Sequence, residues 1–418
     1  MIISILDTPP DNWESVRFRK ILESTNYGTS NKSNSNQNGI PVLRIPNVIG
    51  DMISLKNLKF VKLDEKEFRT LKLDIGDILV VRTNGNPNYV GRCALVEELP
   101  SEMVYASYLI RIRYSKNKVY PKFLIYFLQS EMARKQFRMR TRTSAGNYNI
   151  NTQGISSIKI LLPPLPEQLK IASILSNVDA IIQSTQQLIA QLQTLKRGLM
   201  QRLFTEGLGH TEFQETKVGR IPKEWKVVRI DSISTAKTTS INPTEFQNEQ
   251  FYYYSIPAYM EGKKPTITVG SDIKSNKYVI ENNMILFGKL NPRVEKVWLV
   301  NSIDDRRKIG STEWICILPD PDMVDIRYLY YLLYSCYVMP KAKLLVSGTT
   351  PSRQRVLPKE FMTLRVPLPD MQEQDNISKI FINLDAMIEN ESRYLDRMKT
   401  TKIGLMQQLL TGNTRVKV

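Results

Sequence analysis

The chain has a single histidine, His210, among 418 residues. That scarcity removes most acid–base and metal chemistry, because histidine is the side chain that titrates near neutral pH and the commonest metal ligand. Cys93, Cys316 and Cys336 are scattered, with neither paired nor ligand-like spacing, which fits a reducing compartment. No apolar run approaches the roughly 18 residues of a membrane span. The start, Met1-Ile2-Ile3-Ser4-Ile5-Leu6, is too short and uncharged for a signal peptide, so a cytoplasmic location is expected. Gly-x4-Gly-Lys-Ser/Thr is absent, excluding a P-loop ATPase, and no glycine-rich cofactor loop follows a strand-like run. Asn86-Pro87-Asn88-Tyr89 has the outline of a base-gripping methyltransferase motif without its second proline, and reads as a turn. Pro10-Asp11 with Asp64-x-Lys66 imitates a nuclease pattern at too long a spacing. His210 lies in a linker and reads as solvent-exposed. The chain is expected to bind without doing chemistry.

Positive charge is what it has in excess. Lys and Arg number 58 against 41 Asp and Glu, a net +17. Residues 1–160 carry about +10 and residues 208–365 about +6, while the stretches that follow each are nearly neutral. A field confined to two globular parts suits units that hold a polyanion.

The near-neutral stretches are copies of each other. Leu162-Pro163-x3-Glu167-Gln168-x2-Ile171-x2-Ile174-x2-Asn177-x-Asp179-Ala180-x-Ile182 returns as Leu368-Pro369-x3-Glu373-Gln374-x2-Ile377-x2-Ile380-x2-Asn383-x-Asp385-Ala386-x-Ile388. Lys196-x-Gly198-Leu199-Met200-Gln201-x-Leu203 returns as Lys402-x-Gly404-Leu405-Met406-Gln407-x-Leu409 at the same offset of 206. A fainter echo joins Pro10-x2-Trp13-x2-Val16-Arg17 to Pro222-x2-Trp225-x2-Val228-Arg229. The chain is two copies of one unit, and duplicated units build pseudo-twofold objects. Ile171, Ile174, Val178, Ile181, Leu188, Leu192, Leu195 and Leu199 alternate by three and four, interrupted at Thr185; Ile377, Ile380, Leu384, Met387, Tyr394, Met398 and Leu405 do so with breaks at Glu391 and Thr401. This is a coiled-coil seam with a polar position at matching places. A helix over residues 167–203 would be roughly 55 Å long, pairing antiparallel with its copy because the intervening unit must return the chain.

Each globular part mixes strands with shorter helices. Strand candidates are residues 76–82 and 284–289, then 108–113 and 314–318; helix candidates are 121–129 and 325–334. The first strand of each part leads to basic and amide residues: Arg82 and Asn84 before Asn86-Pro87, and Lys289 and Arg293 around Asn291-Pro292. Each part ends in a polar, basic loop. Residues 134–149 carry Arg138, Arg140, Arg142 and Asn147; residues 347–355 carry Ser347, Thr349, Ser352, Arg353, Gln354 and Arg355. Arginine suits guanine and phosphate, amides suit adenine, and small residues let the backbone approach phosphate. Duplex DNA, itself twofold, is the expected partner. Tyr252-Tyr253-Tyr254 and residues 31–38 have no counterpart in the other copy, as expected of modules that read different half-sequences.

The ordered combination of Leu-Pro-x3-Glu-Gln, the Asp179-x2-Ile182 helix ending Lys196-x-Gly198-Leu199-Met200-Gln201, and Thr216-x-Val218-Gly219-x-Ile221-Pro222-x2-Trp225 resembles the specificity subunit of Type I restriction–modification systems along the whole chain. Ser347-Gly348-Thr349-Thr350-Pro351 and Gly76-Asp77-Ile78-Leu79 are similar to that family's recognition domains, whereas Ser144-Ala145-Gly146-Asn147 departs from its Ser-Gly-rich loop. The resemblance implies an α+β protein: target recognition domains at 1–160 and 208–365, a central repeat at 161–207 and a C-terminal repeat at 366–418, the two long helices forming an antiparallel, pseudo-twofold coiled coil. It implies a non-catalytic subunit that reads a split DNA sequence. Its partners would be two modification subunits that bind S-adenosylmethionine and a restriction subunit that uses ATP with Mg2+. The chain itself would hold no cofactor and no metal. A free-standing enzyme, a degenerate methyltransferase or nuclease, is the alternative, and a coiled-coil adaptor without sequence preference is a third reading.

Overall fold

The computed structural model describes residues 6–417 except 51 and 145. Residues 1–5 of the start weighed as a leader, and Ala145 of the first terminal loop, lie outside the described residues. The chain divides into two compact units, one formed by Met1–Gln186 with Arg393–Val418, the other by Gln187–Ser392. These are not the sequence segments. Each unit takes a globular part together with one portion of each long helix.

Both units are built on the same four-stranded antiparallel sheet. In the first, the spatial order is Leu22–Tyr27, Leu109–Tyr114, Ile78–Val81, Cys93–Leu95; in the second it is Ser234–Lys237, Trp314–Pro319, Ile285–Gly288, Val297–Leu299. The continuous apolar run of the third strand follows from its surroundings. Successive side chains point to opposite faces, and both faces are covered. Ile78 and Val80 enter the core with Phe123, Phe127 and Phe137, while Leu79 and Val81 enter another with Val42 and Tyr105. Ile285 and Phe287 likewise join Tyr328 and Phe361, and Met284 and Leu286 join Trp298 and Trp314. In each unit the strand after the repeated Trp pairs antiparallel with the strand before the long helix: Glu14–Arg17 with Lys159–Leu162, and Lys226–Arg229 with Arg365–Leu368.

The long helices span Leu165–Glu206 and Met371–Leu410, somewhat beyond the expected limits. Their repeated residues form the same clasp twice. In unit 1, Trp13 Nε1 donates to Glu167 at 3.0 Å. Gln168 accepts from Tyr120 N–H (2.9 Å) and donates to Pro163 O (2.8 Å). Asp179 takes Tyr126 OH (2.7 Å) and Lys402 Nζ (2.6 Å). In unit 2, Trp225 Nε1 donates to Glu373 (2.8 Å), Gln374 accepts from Asp325 N–H (2.8 Å), and Asp385 takes Tyr331 OH (2.8 Å) and Lys196 Nζ (2.5 Å). Arg415 completes the first clasp with two hydrogen bonds of 2.8 Å to Glu167.

His210 is not solvent-exposed as expected. Its Nε2 lies 3.0 Å from both Glu373 oxygens, and its ring meets Trp225 edge-on at 6.1 Å. The uniform apolar seam also needs correction. Ile171, Leu192, Ile377 and Leu384 are buried, whereas Ile181, Leu188, Leu195, Met387 and Tyr394 stay exposed. Ala172, Leu175 and Phe381, outside the seam pattern, are buried instead, because near their N-terminal ends the helices pack on the cores of their own units. Thr185 is buried and donates to Ile181 O at 2.8 Å; Glu391 is half-buried.

Candidate nucleic-acid interface

In each unit the residue that follows the central strand is stitched by main-chain hydrogen bonds to the terminal loop. Ile150 N–H donates to Arg82 O at 2.9 Å, and Val356 N–H donates to Lys289 O at 3.1 Å. The stitching gathers the two sets of candidate residues onto one face.

In unit 1, Thr83–Asn84 pairs with Asn147–Asn149, which pairs in turn with Arg142–Ser144. Asn84, Asn147 and Arg142 therefore share a three-stranded ribbon. Beside it the Asn86-Pro87-Asn88-Tyr89 stretch is a turn: Asn84 Oδ1 accepts from Asn86 N–H and Asn86 Oδ1 from Asn88 N–H, both at 2.9 Å. Arg92 lies over the Tyr89 ring at 3.7 Å. A shallow cleft of about 440 Å³ is lined by Pro87, Asn88, Arg138, Thr141, Arg142, Thr143 and Tyr148. Asn147 and Arg142 are exposed, with side chains available to a ligand. Arg82 is half-exposed, stacked on Tyr27 at 4.6 Å and donating to Ser107 O.

The expected basic loop at 134–149 begins as a helix, Glu131–Arg140. Ser130 caps it by accepting from Ala133 N–H, and its buried face is Met132, Ala133, Gln136 and Phe137. Glu131 in the first turn and Arg138 and Arg140 in the last match the helix dipole. Two of the three arginines are thus engaged. Arg138 pairs with Glu131. Arg140 donates to Ser157 Oγ (2.7 Å), Ser157 O (3.2 Å) and Gln136 O (3.0 Å), and burial lowers its basicity. Arg140 serves the fold.

In unit 2, Val346–Ser347 pairs with Arg355–Val356, Leu290 bridges to Arg355, and Asn291 N–H donates to Gln354 O at 2.8 Å. Ser347, Thr349, Ser352, Arg353 and Arg293 are exposed on this face, and Gln354 is half-buried. Gly348, at φ +106°, permits the turn between the strands. Lys289 lies 5.4 Å from the Tyr278 ring centre, its basicity lowered by burial. Arg355 is not a free cation: its Nε and Nη2 grip Glu313 at 3.0–3.1 Å, and that hydrogen bonding raises its pKa. Asn291, at φ +48°, holds a buried Oδ1 without a hydrogen-bond partner.

Sequence reasoning missed Glu313 and Lys296, and took Arg134 only as the start of the first basic loop. Arg134 donates to Asn88 O and Val90 O, and Lys296 to Asn291 O and Val294 O. Nothing in the local sequence marks these contacts, since Glu313 meets a side chain 42 residues away and Arg134 and Lys296 bind main-chain oxygens, which any residue carries. The nuclease-like residues have structural tasks. Asp64 caps the helix Glu65–Leu71, and Asp11 O accepts from Arg415. Among the described residues no His/Cys/Asp/Glu group could hold a metal, and no helix is long and apolar enough to cross a membrane.

The chain belongs to the Type I restriction modification DNA specificity domain family, whose model matches residues 10–194 and again 222–399. It is 28% identical to the putative type I restriction enzyme MjaX specificity subunit of Methanocaldococcus jannaschii, over 98% of this chain and 95% of that one. It is 27% identical to the EcoKI specificity subunit of Escherichia coli K12, over 53% and 46% respectively. The S subunit crystal structure from M. genitalium shares the fold, with a TM-score of 0.57 at 15% identity over 96% of each chain. The family's part in restriction–modification is DNA recognition, not catalysis.

Proposed function

We propose that the chain is the sequence-reading subunit of a Type I restriction–modification complex and that it recognises a split DNA site, one half with each unit. The observation that carries this reading is the paired arrangement of reading loops. In both units a polar terminal ribbon is stitched to the residue after the central strand, so basic and amide side chains share one face. A ribbon of two or three strands fits the major groove, where arginine and amide side chains distinguish base pairs. The side chains assigned to DNA are Arg142, Asn84 and Asn147 in the first domain, and Arg293, Arg353, Ser347, Thr349, Ser352 and Gln354 in the second. Arg82, Lys289, Arg138 and Arg355 set the local field, and Arg140 supports the ribbon from behind.

In this reading the recognition domains are residues 1–160 and 208–365. The helices of 161–207 and 366–418 form an antiparallel, pseudo-twofold coiled coil that fixes the spacing between half-sites. The recurrence of Lys402–Asp179 as Lys196–Asp385 supports the antiparallel sense. Two modification subunits would carry S-adenosylmethionine and methylate adenine. A restriction subunit would carry ATP and Mg2+. The scattered cysteines Cys93, Cys316 and Cys336, without paired spacing, support a cytoplasmic setting. Methylation-sensitive sequencing of the host genome tests the reading. Two short specified blocks around an unspecified gap are expected; one continuous block or a perfect palindrome would refute it.

A further inference from the structure

Each unit carries a cation behind its reading turn that forms no ion pair with a carboxylate among the described residues. Lys296, only 4% exposed, turns Nζ onto Asn291 O (3.0 Å) and Val294 O (2.6 Å), the two ends of the turn bearing Arg293. Gly288 leaves room for its stem, since a Cβ there would lie 2.7 Å from Lys296 Cε. In unit 1, Arg134 donates to Asn88 O (2.8 Å) and Val90 O (3.0 Å), holding the turn beside the ribbon. The nearby carboxylates are taken: Glu295 by Lys343 (2.7 Å), Glu313 by Arg355 (3.0 Å) and Glu131 by Arg138. Among the described residues neither cation has an acidic partner within ion-pair distance. Burial lowers the basicity of both. Carbonyl dipoles satisfy the donors but leave the net charge in place, and a buried charge is costly without a counter-charge.

We propose that Lys296 and Arg134 are positioning cations of the two reading loops, each fixing its turn through main-chain carbonyls while a DNA phosphate supplies the missing counter-charge. The inference rests on the DNA-reading role proposed above. It separates two tasks that sequence inspection merges, because the exposed arginines face the bases and these two hold the backbone that presents them while answering the charge of a phosphate.

The test uses the full chain with a duplex whose blocks come from methylation mapping, titrated over a range of salt. Lys296→Met should bind about tenfold more weakly, with a salt slope shallower by up to ~0.9. Its melting midpoint should not fall, because an apolar side chain replaces an uncompensated buried ion. Arg134→Met should do the same for the first unit, and Arg134→Lys, which keeps charge without the fork, should retain the salt slope. A lowered midpoint with wild-type affinity and slope would make both residues simple struts and overturn the proposal. If Lys296→Met does not fold, the Arg134 pair decides by the same criteria. Failure of the DNA-reading role looks different: the wild-type chain would then bind mapped and scrambled duplexes equally.

Discussion

Replacing Glu167 with Gln should loosen unit 1 by an amount the clasp geometry sets. The carboxylate is 3% exposed and receives three N–H donors, one from Trp13 at 3.0 Å and two from Arg415 at 2.8 Å. A glutamine keeps the volume but offers one acceptor oxygen and turns an N–H toward the remaining donors. Hydrogen bonds to a charged group contribute about 1.5–3 kcal/mol each. The Arg415 side chain is 40% exposed, so water replaces much of its share and that part is discounted. The expected cost is about 2–3 kcal/mol, or roughly 30–150-fold in local opening at 1.36 kcal/mol per tenfold. Native-state hydrogen exchange of the Trp13 indole and of the amides at both ends of unit 1 measures it. The pH dependence carries a sign. Burial pushes the Glu167 carboxyl up, but hydrogen bonds from Arg415 and Trp13 overcome it and hold the group below its ordinary value. A depressed folded pKa stabilises above the unfolded value of about 4.3 and loses that contribution as pH falls through the lowered one. Wild-type protection should therefore decline only in acid, and the Gln variant should lack that step. Unchanged protection at neutral pH in Glu167→Gln would refute the clasp as an energetic element.

Arg142→Ala should weaken binding to all duplexes and flatten the salt dependence by about 0.9 in slope, whereas Arg140→Ala should lower thermal stability by about 1–2 kcal/mol with little change in slope. Salt titrations beside melting curves separate the two. Arg353→Ala should cost about 1–3 kcal/mol, confined to the second block, while Arg355→Ala exposes Glu313 and should weaken binding without regard to sequence; titrations on duplexes altered block by block check both. Inserting one heptad after Gln183 and after Glu389 should lengthen the unspecified gap by about three base pairs, from roughly 10 Å of added helix, with both blocks unchanged. Methylation mapping of cells carrying that variant reads the gap directly, and a constant gap with retained activity would remove the helices as the ruler.

What could be read from the sequence was what recurs in both copies or follows a local period. Trp13, Glu167, Gln168, Asp179 and Lys196 each have a twin, and the structure shows why: these residues touch one another or the same neighbours in both units. The two-sided burial of Ile78–Val81 is likewise visible as an unbroken apolar run. Long-range pairing was hidden. Arg355 looks free until Glu313, 42 residues away in the chain, is placed beside it. His210 looks solvated until Glu373 arrives from 163 residues off. Arg138 and Arg140 looked like loop residues because their charge masked the narrow apolar face of Met132, Ala133 and Phe137.

The same distinction explains how one scaffold can carry two readers that share so little sequence. The clasps rely on side chains, Trp to Glu, Tyr to Asp and Lys to Asp, so both copies had to keep the same residues for both to close. The reading faces rely on main-chain bonds: Ile150 to Arg82 and Val356 to Lys289 join backbone atoms. A backbone bond needs no particular side chain beyond the exclusion of proline at its donor. Arg82 could therefore become Lys289, and an asparagine ribbon could become a Ser-Thr-Arg loop, without loss of the stitch that holds each in place. The exposed side chains that make no such contact, Arg142, Asn147 and Arg353 among them, were thereby left to the demands of the ligand. This predicts that proline at residue 150 or 356, which deletes the donor, should abolish reading of one block and spare the other. Alanine at either site, where Ile150 and Val356 are both buried, should cost stability by about 1–3 kcal/mol without changing which bases are read. A relaxed or altered block in the methylation map of the alanine variant would mean that these side chains, and not the stitch, govern recognition.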